Sequence, residues 1–250
     1  MMCSIVDRLI DPWIWPRRVR GQMFIPTYDV GGTECMVVTR EDAQCWVLYC
    51  HGNSVSLPEL HDSGIPQRMV DSCRCNFVAP EYPVQSSTGS RHDDAVVKSA
   101  RNAYDCLVRV SSSPVYVVGR SIGVGVALQA CAQHRPAGLV LISGFASIKA
   151  MAPWGLQWAL PDRFDNLLAI RTLHGVPKLI LHGMQDDVVP PENATSLANA
   201  GDCSTIRMIE GMTHIPMAVH IGTMCSHIAT LVDKTHRPHM PAHHFLLWKT

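Results

Sequence analysis

The chain is poor in charge and poor in aromatic residues. Of its 250 residues, 17% are charged and 6% are Phe, Trp or Tyr. Its 21 basic and 21 acidic residues cancel. There is no positive surplus to draw a nucleic acid and no acidic surplus to build a polyanionic surface. No apolar run approaches the ~20 residues that a membrane-spanning helix needs. The start, Met1-Met2-Cys3-Ser4-Ile5-Val6-Asp7-Arg8, turns charged too early for a secretory leader. The ten cysteines, at 3, 35, 45, 50, 73, 75, 106, 131, 203 and 225, follow no framework, and several sit inside apolar runs such as Cys45-Trp46-Val47-Leu48-Tyr49-Cys50. They read as small buried hydrophobes in a reducing, cytoplasmic compartment. Cys73-x-Cys75 is too closely spaced for a zinc knuckle and has no second pair. Neither a metal nor a cofactor is expected.

What is present is hydrophobic residues, 47% of the chain, enough for one domain with a large core. Residues 1–20 show no period and read as an arm, 21–232 as the folded domain, and the His- and Pro-rich 233–250 as a tail. Strands are expected at 21–30 and 34–39 around a Gly31-Gly32 turn. Further strands are expected at 45–50, 75–79, 115–118, 139–142, 177–181 and 205–209. Helical patterning covers 57–72, 92–110, 122–134, 192–200 and 214–232. Residues 145–175 lack strand pattern and leave room for a short lid. This alternation predicts an α/β protein: a mostly parallel central sheet with helices on both faces, preceded by an antiparallel hairpin. In such sheets the site lies beyond the carboxyl ends of the strands. The loops at 51–54, 80–84, 119–123, 183–190 and 211–214 all fall there.

One of those loops carries a chemical motif. Tyr116-Val117-Val118-Gly119-Arg120-Ser121-Ile122-Gly123-Val124-Gly125 is G-x-S-x-G between a β-branched run and a helix-forming one. A strand, a sharp turn and a helix are what a nucleophile elbow requires: the serine sits at the corner, and the helix start aims free N–H groups and its dipole at nearby negative charge. Ser121 is therefore the expected nucleophile. A serine hydroxyl needs a base, and in this kind of site the acid and then the histidine follow it in the chain. Asp186, or the neighbouring Asp187, and His214 stand in that order. Arg120 is expected to point away from Ser121 and pair with a carboxylate.

On His51-Gly52-Asn53-Ser54, Gly119-Arg120-Ser121-Ile122-Gly123, His182-Gly183-Met184-Gln185-Asp186-Asp187-Val188-Val189-Pro190 and Glu210-Gly211-Met212-Thr213-His214 the chain resembles the α/β-hydrolase superfamily over residues 21–232. Within it, the chain is similar to the small abhydrolase-domain protein depalmitoylases and their microbial and protozoan relatives. Some of those relatives are labelled serine peptidases of the prolyl-oligopeptidase-like clan. The resemblance implies a Ser121–Asp186–His214 triad, favours Asp186 over Asp187, and places the oxyanion donors at the Ile122 and Asn53 amides. It also implies that His51 braces the oxyanion loop. Two departures stand out: only Cys3 lies where depalmitoylases carry an acylated cysteine cluster, and Pro80-Glu81-Tyr82-Pro83-Val84 replaces their tyrosine- and glycine-rich loop.

The expected activity is hydrolysis of an acyl ester or thioester, with fatty-acylated protein or lipid as the favoured substrate class. Ser54, Tyr82, Trp154 and Trp158 are the expected substrate-side residues. The apolar stretch 151–160 reads equally as an acyl groove or membrane-touching surface and as a short helix packed on the sheet. Two alternatives stay open. One is a small-substrate esterase or serine peptidase. The other is a non-catalytic binding protein on the same fold. Weak peripheral membrane contact also stays open, because a single acyl chain on Cys3 binds only marginally.

Overall fold

The computed structural model describes residues 25–53, 55–83, 92–151, 163–203 and 205–235. The expected arm at 1–20, Ser54, the centre of the expected lid with Trp154 and Trp158, and most of the tail lie outside the described residues.

The strands are β1 (Tyr28–Asp29), β2 (Glu34–Val38), β3 (Cys45–Cys50), β4 (Cys75–Pro80), β5 (Val115–Arg120), β6 (Gly138–Ile142), β7 (Lys178–Gly183) and β8 (Ile206–Ile209). They form one sheet in the order β1-β2-β4-β3-β5-β6-β7-β8. β1 and β2 pair antiparallel, as do β2 and β4. Every later pairing is parallel, from β3–β4 across to β7–β8. The central strands β5, β6 and β7 are buried along nearly their whole length, which explains their continuous apolar runs: both faces are covered.

The helices are α1 (Leu57–Asp62), α2 (Ile65–Cys73), α3 (His92–Val110), α4 (Gly123–Ala130), α5 (Ile148–Met151), α6 (Asn166–Arg171), α7 (Glu192–Gly201) and α8 (Ala218–Thr235). Side chains alternate across the strands, so the core divides in two. Val115 and Val117 of β5 face α3 and α4, while Tyr116 and Val118 face α2 and α8. The parallel α/β sheet with an antiparallel start is the predicted architecture.

Four elements differ from their sequence patterns, the first being the strand expected at 21–30, which among the described residues is only Tyr28–Asp29. The expected helix 57–72 is two helices, because the chain turns through Gly64 at φ 70° between α1 and α2. A serine capping box at Ser56–Glu59 starts the first of them. The helix after the elbow stops at Ala130, short of the expected 134, and the Cys131 thiol donates to the Ala127 carbonyl at its end. The helix expected from 214 begins only at Ala218, which leaves His214 in a loop. The described parts of 145–175 hold two short helices, α5 and α6, and Phe164 between them packs against Gly125 of α4.

Candidate active site

Ser121 follows β5 directly and has φ 55°, a left-handed conformation that non-glycine residues seldom adopt. Its amide donates to the Ile142 carbonyl, and its carbonyl accepts from the Val124 amide. A tight turn brings α4 back over β5: a side chain at Gly123 would collide with the Cys50 and His51 carbonyls. That close approach brings the loop after β3 against the turn. A β-carbon added at Gly52 would lie 3.6 Å from the Ser121 β-carbon.

Ser121 Oγ is 3.0 Å from His214 Nε2, and His214 Nδ1 is 3.0 Å from both Asp186 carboxylate oxygens. A carboxylate only accepts, so Nδ1 carries the proton and Nε2 turns its lone pair toward the Ser121 hydroxyl. Three loops supply these groups: those after β5, β7 and β8. Asp186 is buried, and its Oδ1 also accepts from the Val188 and Val189 amides. Burial pushes its pKa up, but the Val189 amide, the His214 imidazole and the nearby Ser143 hydroxyl outweigh that, so the carboxyl titrates below its ordinary value. The Ser143 oxygen is buried and lies outside hydrogen-bond geometry with any partner among the described residues. Asp187 is exposed.

A second histidine reaches this carboxylate. His182, fully buried at the end of β7, has Nε2 2.9 Å from the Val189 carbonyl and 3.5 Å from Asp186 Oδ2. The carbonyl requires a donor, so the proton is on Nε2. Val189 is thus held at both backbone groups, by His182 at its carbonyl and by Asp186 at its amide. Sequence reasoning used His182 as the end of a strand and as the start of the motif that places Asp186, and gave its side chain no role of its own.

The Ile122 amide finds no hydrogen-bond acceptor among the described residues, and α4 has no side-chain cap. Asn53 lies in the turn just past β3, beside Gly52. His51 is buried, with Nε2 3.2 Å from the Pro80 carbonyl and Nδ1 3.1 Å from the Gly52 carbonyl, so it ties the loop after β3 to β4. Tyr82 is buried as well. Its ring stacks on His51 with centroids 3.9 Å apart, and its hydroxyl donates to the His51 carbonyl at 3.1 Å. It stands behind the loop as a brace, where an open substrate wall was expected. Ser54, Trp154 and Trp158 fall outside the described residues.

Arg120 departs from expectation. Strand alternation sends its side chain to the face of Tyr116 and Val118, away from Ser121. No carboxylate pairs with it among the described residues. Instead Nη2 donates to the His214 carbonyl at 2.7 Å. Among the described residues no group of three or more His, Cys, Asp or Glu could hold a metal ion.

No family model matches the chain. It is 29% identical to protein bem46 of Schizosaccharomyces pombe over 158 residues, which cover 58% of this chain and 52% of that protein. Against an uncharacterized protein of Mycobacterium tuberculosis it is 31% identical over 111 residues, 42% of this chain and 39% of that protein. Against the uncharacterized protein YfhR of Salmonella typhi it is 26% identical over 177 residues, 63% of this chain and 59% of that protein. The chain therefore spans about half the length of the curated relatives it matches.

Solved structures agree over more of the chain. TT1662 from Thermus thermophilus superposes with TM-score 0.66 at 19% identity over 84% of this chain and 99% of its own. A hormone-sensitive lipase from a metagenome library gives TM-score 0.65 at 19% identity, covering 93% and 91%. Est1E from Butyrivibrio proteoclasticus, with ferulic acid bound, gives 0.63 at 15% identity, covering 84% and 99%. At these identities the likeness establishes the fold, which is the α/β-hydrolase fold.

Proposed function

We propose that this chain is a serine hydrolase that cleaves carboxylic ester or thioester bonds through an acyl-enzyme, with fatty-acylated lipid or protein as its substrate class. The observation that carries the reading is the continuous hydrogen-bonded line from Ser121 Oγ through His214 to a buried Asp186. The esterases and lipases among the proteins of like fold support it.

His214 Nε2 takes the Ser121 proton as Oγ bonds to the acyl carbon. The carbonyl electrons move onto oxygen, and the Ile122 and Asn53 amides receive that oxyanion. One such donor contributes about 3 kcal/mol to lowering the barrier. The intermediate collapses, the bond to the leaving alcohol or thiol breaks, and His214 returns the proton to that group. Water then repeats the sequence on the acyl-enzyme and frees the acid and Ser121. Asp186 holds the His214 tautomer and stabilises the imidazolium. Ile215, Met217 and Val188, exposed on the loops that carry His214 and Asp186, support an apolar substrate.

The test is a set of initial rates on matched acyl thioesters and oxygen esters from two-carbon to sixteen-carbon chains, for wild type and Ser121→Ala. Rates that climb with chain length and vanish in the variant are expected. Turnover of short esters alone points to a small-substrate esterase or peptidase. Retained turnover in Ser121→Ala overturns the assignment of the nucleophile, and no turnover in either protein points to a binding role.

A further inference from the structure

We infer that Arg120 is a positioning residue for His214: its guanidinium spans from the serine turn to the histidine loop and holds the base in line with both Ser121 and Asp186. Its role in turnover rests on the hydrolase reading above.

The loop between β8 and α8 has few attachments. The Met212 carbonyl accepts from the Gln185 amide, and from Met217 onward the chain is held by the first turn of α8. Between them, over residues 213–216, the backbone makes one hydrogen bond to another element among the described residues, and that is the bond from Arg120 Nη2 to the His214 carbonyl. The other contact there is local, from the Thr213 hydroxyl to the Ile215 carbonyl. Ile215 is 77% exposed, so packing does little to hold the segment. Without Arg120, His214 loses the one bond among the described residues that fixes its backbone from across the site, and its imidazole bonds are no longer held in line.

The guanidinium is itself confined. Arg120 immediately precedes Ser121, so its backbone shares the strained turn. Nη1 lies 3.2 Å from where a β-carbon at Gly52 would stand, so the loop after β3 leaves just enough space for it by carrying glycine there. Nε is buried and makes no hydrogen bond among the described residues. A partly buried cation with no carboxylate partner among the described residues is costly to keep for stability alone. Its outlet is the carbonyl of the proposed base, through a charge-assisted bond of 2.7 Å. One side chain therefore runs from the serine turn, past the loop after β3, to its bond with the histidine loop. A small displacement of a reacting group costs from about tenfold to about a hundredfold in rate.

The experiment compares wild type with Arg120→Met and Arg120→Gln, which remove the charge, and Arg120→Lys, which keeps a cationic donor. The first readout is the low-field proton resonance of the His214 Nδ1–H···Asp186 bond, assigned by its loss in His214→Ala. It is measured without substrate. It should broaden or vanish in the Met and Gln variants while their circular dichroism stays native, and return in the Lys variant. The second readout is hydrolysis of a short p-nitrophenyl ester. kcat should fall about tenfold or more, with KM little changed. In a His214→Ala background the same Arg120→Met change should have no further effect on the residual rate. Either uncharged variant suffices if the other does not fold. A wild-type resonance in a folded Met or Gln variant overturns the inference. So does an undiminished loss of rate in the His214→Ala background, because Arg120 would then act on something other than the base. If wild type shows the resonance but neither turns over esters nor reacts with a fluorophosphonate at Ser121, the hydrolase reading fails while the resonance still decides the positioning role.

Discussion

Two adjacent carboxylates, Asp186 and Asp187, stand in opposite surroundings. Asp186 is buried and accepts from two backbone amides and His214, whereas Asp187 is exposed. Asp186→Asn should lower kcat by about 10⁴-fold, because the amide no longer holds the required imidazole tautomer. Asp187→Asn should stay within about twofold of wild type, as a solvated side chain remote from the reacting atoms. Steady-state rates of both variants check the ranking, and the reverse order would move the acid to Asp187. The same contacts have a pH consequence. The Asp186 pKa is lower folded than unfolded, so its stabilisation is complete above about pH 4 and is lost as pH falls through the lower folded value. Urea melts at about pH 3 and pH 7 should show the stability gap between wild type and Asp186→Asn shrinking at the acid end. A gap that widens there would contradict the direction of the shift. Residue types and chain order were enough to nominate Ser121 and His214 and to narrow the acid to Asp186 or Asp187, and the family resemblance favoured Asp186. The contacts of Arg120, His182 and Tyr82 were not legible, because each depends on a backbone carbonyl, far away in the chain for Arg120 and Tyr82 and seven residues on for His182, and a carbonyl has no sequence signature.

At the scale of elements, the turn after β5 shows how much a single atom matters. The approach of Gly123 to the Cys50 and His51 carbonyls leaves no room for a methyl group. Gly123→Ala should therefore destabilise the protein by about 1–3 kcal/mol and reduce activity disproportionately, as the loop after β3 is pushed away from Ser121. Thermal melts beside kcat/KM measure both, and a variant with wild-type melting and wild-type rate would mean that the turn yields freely. The helix pattern at 57–72 was read as one element and is broken in its middle at Ser63-Gly64, while the pattern at 214–232 is one helix that begins late, at Ala218. Apolar spacing reports which face is buried, and that face runs on through Ser63-Gly64 from α1 to α2. It does not report where the backbone leaves the helix. His214, Ile215, Pro216 and Met217 precede α8 because Met217 takes the capping position: its amide donates to His220 Nδ1, and its carbonyl accepts from the His220 amide.

Over the whole molecule, the nine described cysteines are free thiols, and seven of them are buried. Burial pushes the Cys35, Cys45, Cys131 and Cys225 thiols up to about 12, so they stay protonated and unreactive near neutral pH. Native protein treated with iodoacetamide should be labelled at Cys106 and Cys203, the half-buried pair, and at Cys3 if that is accessible. In denaturant all ten should react. Mass spectrometry of the digests reads the pattern, and rapid native labelling at Cys35 or Cys131 would show that the core on the α3 and α4 side opens far more readily than its packing implies. No helix among the described residues is long and apolar enough to cross a membrane.

From the sequence by itself come the alternation of strands and helices, the buried character of β5 to β7, the hairpin at the start and the G-x-S-x-G turn. All of these are set by local periodicity and by residues whose backbone preferences act over a few positions. Tertiary structure alone decided the strand order, with β3 between β4 and β5, and so which loops meet. It also decided that Asp186 rather than Asp187 turns inward, that His214 leaves the helix, and that Arg120 is bonded to a carbonyl instead of a carboxylate. Those outcomes rest on contacts between residues as far apart as Arg120 and His214, where the energy lies in burial and hydrogen-bond direction. Neither quantity is defined until the chain has folded.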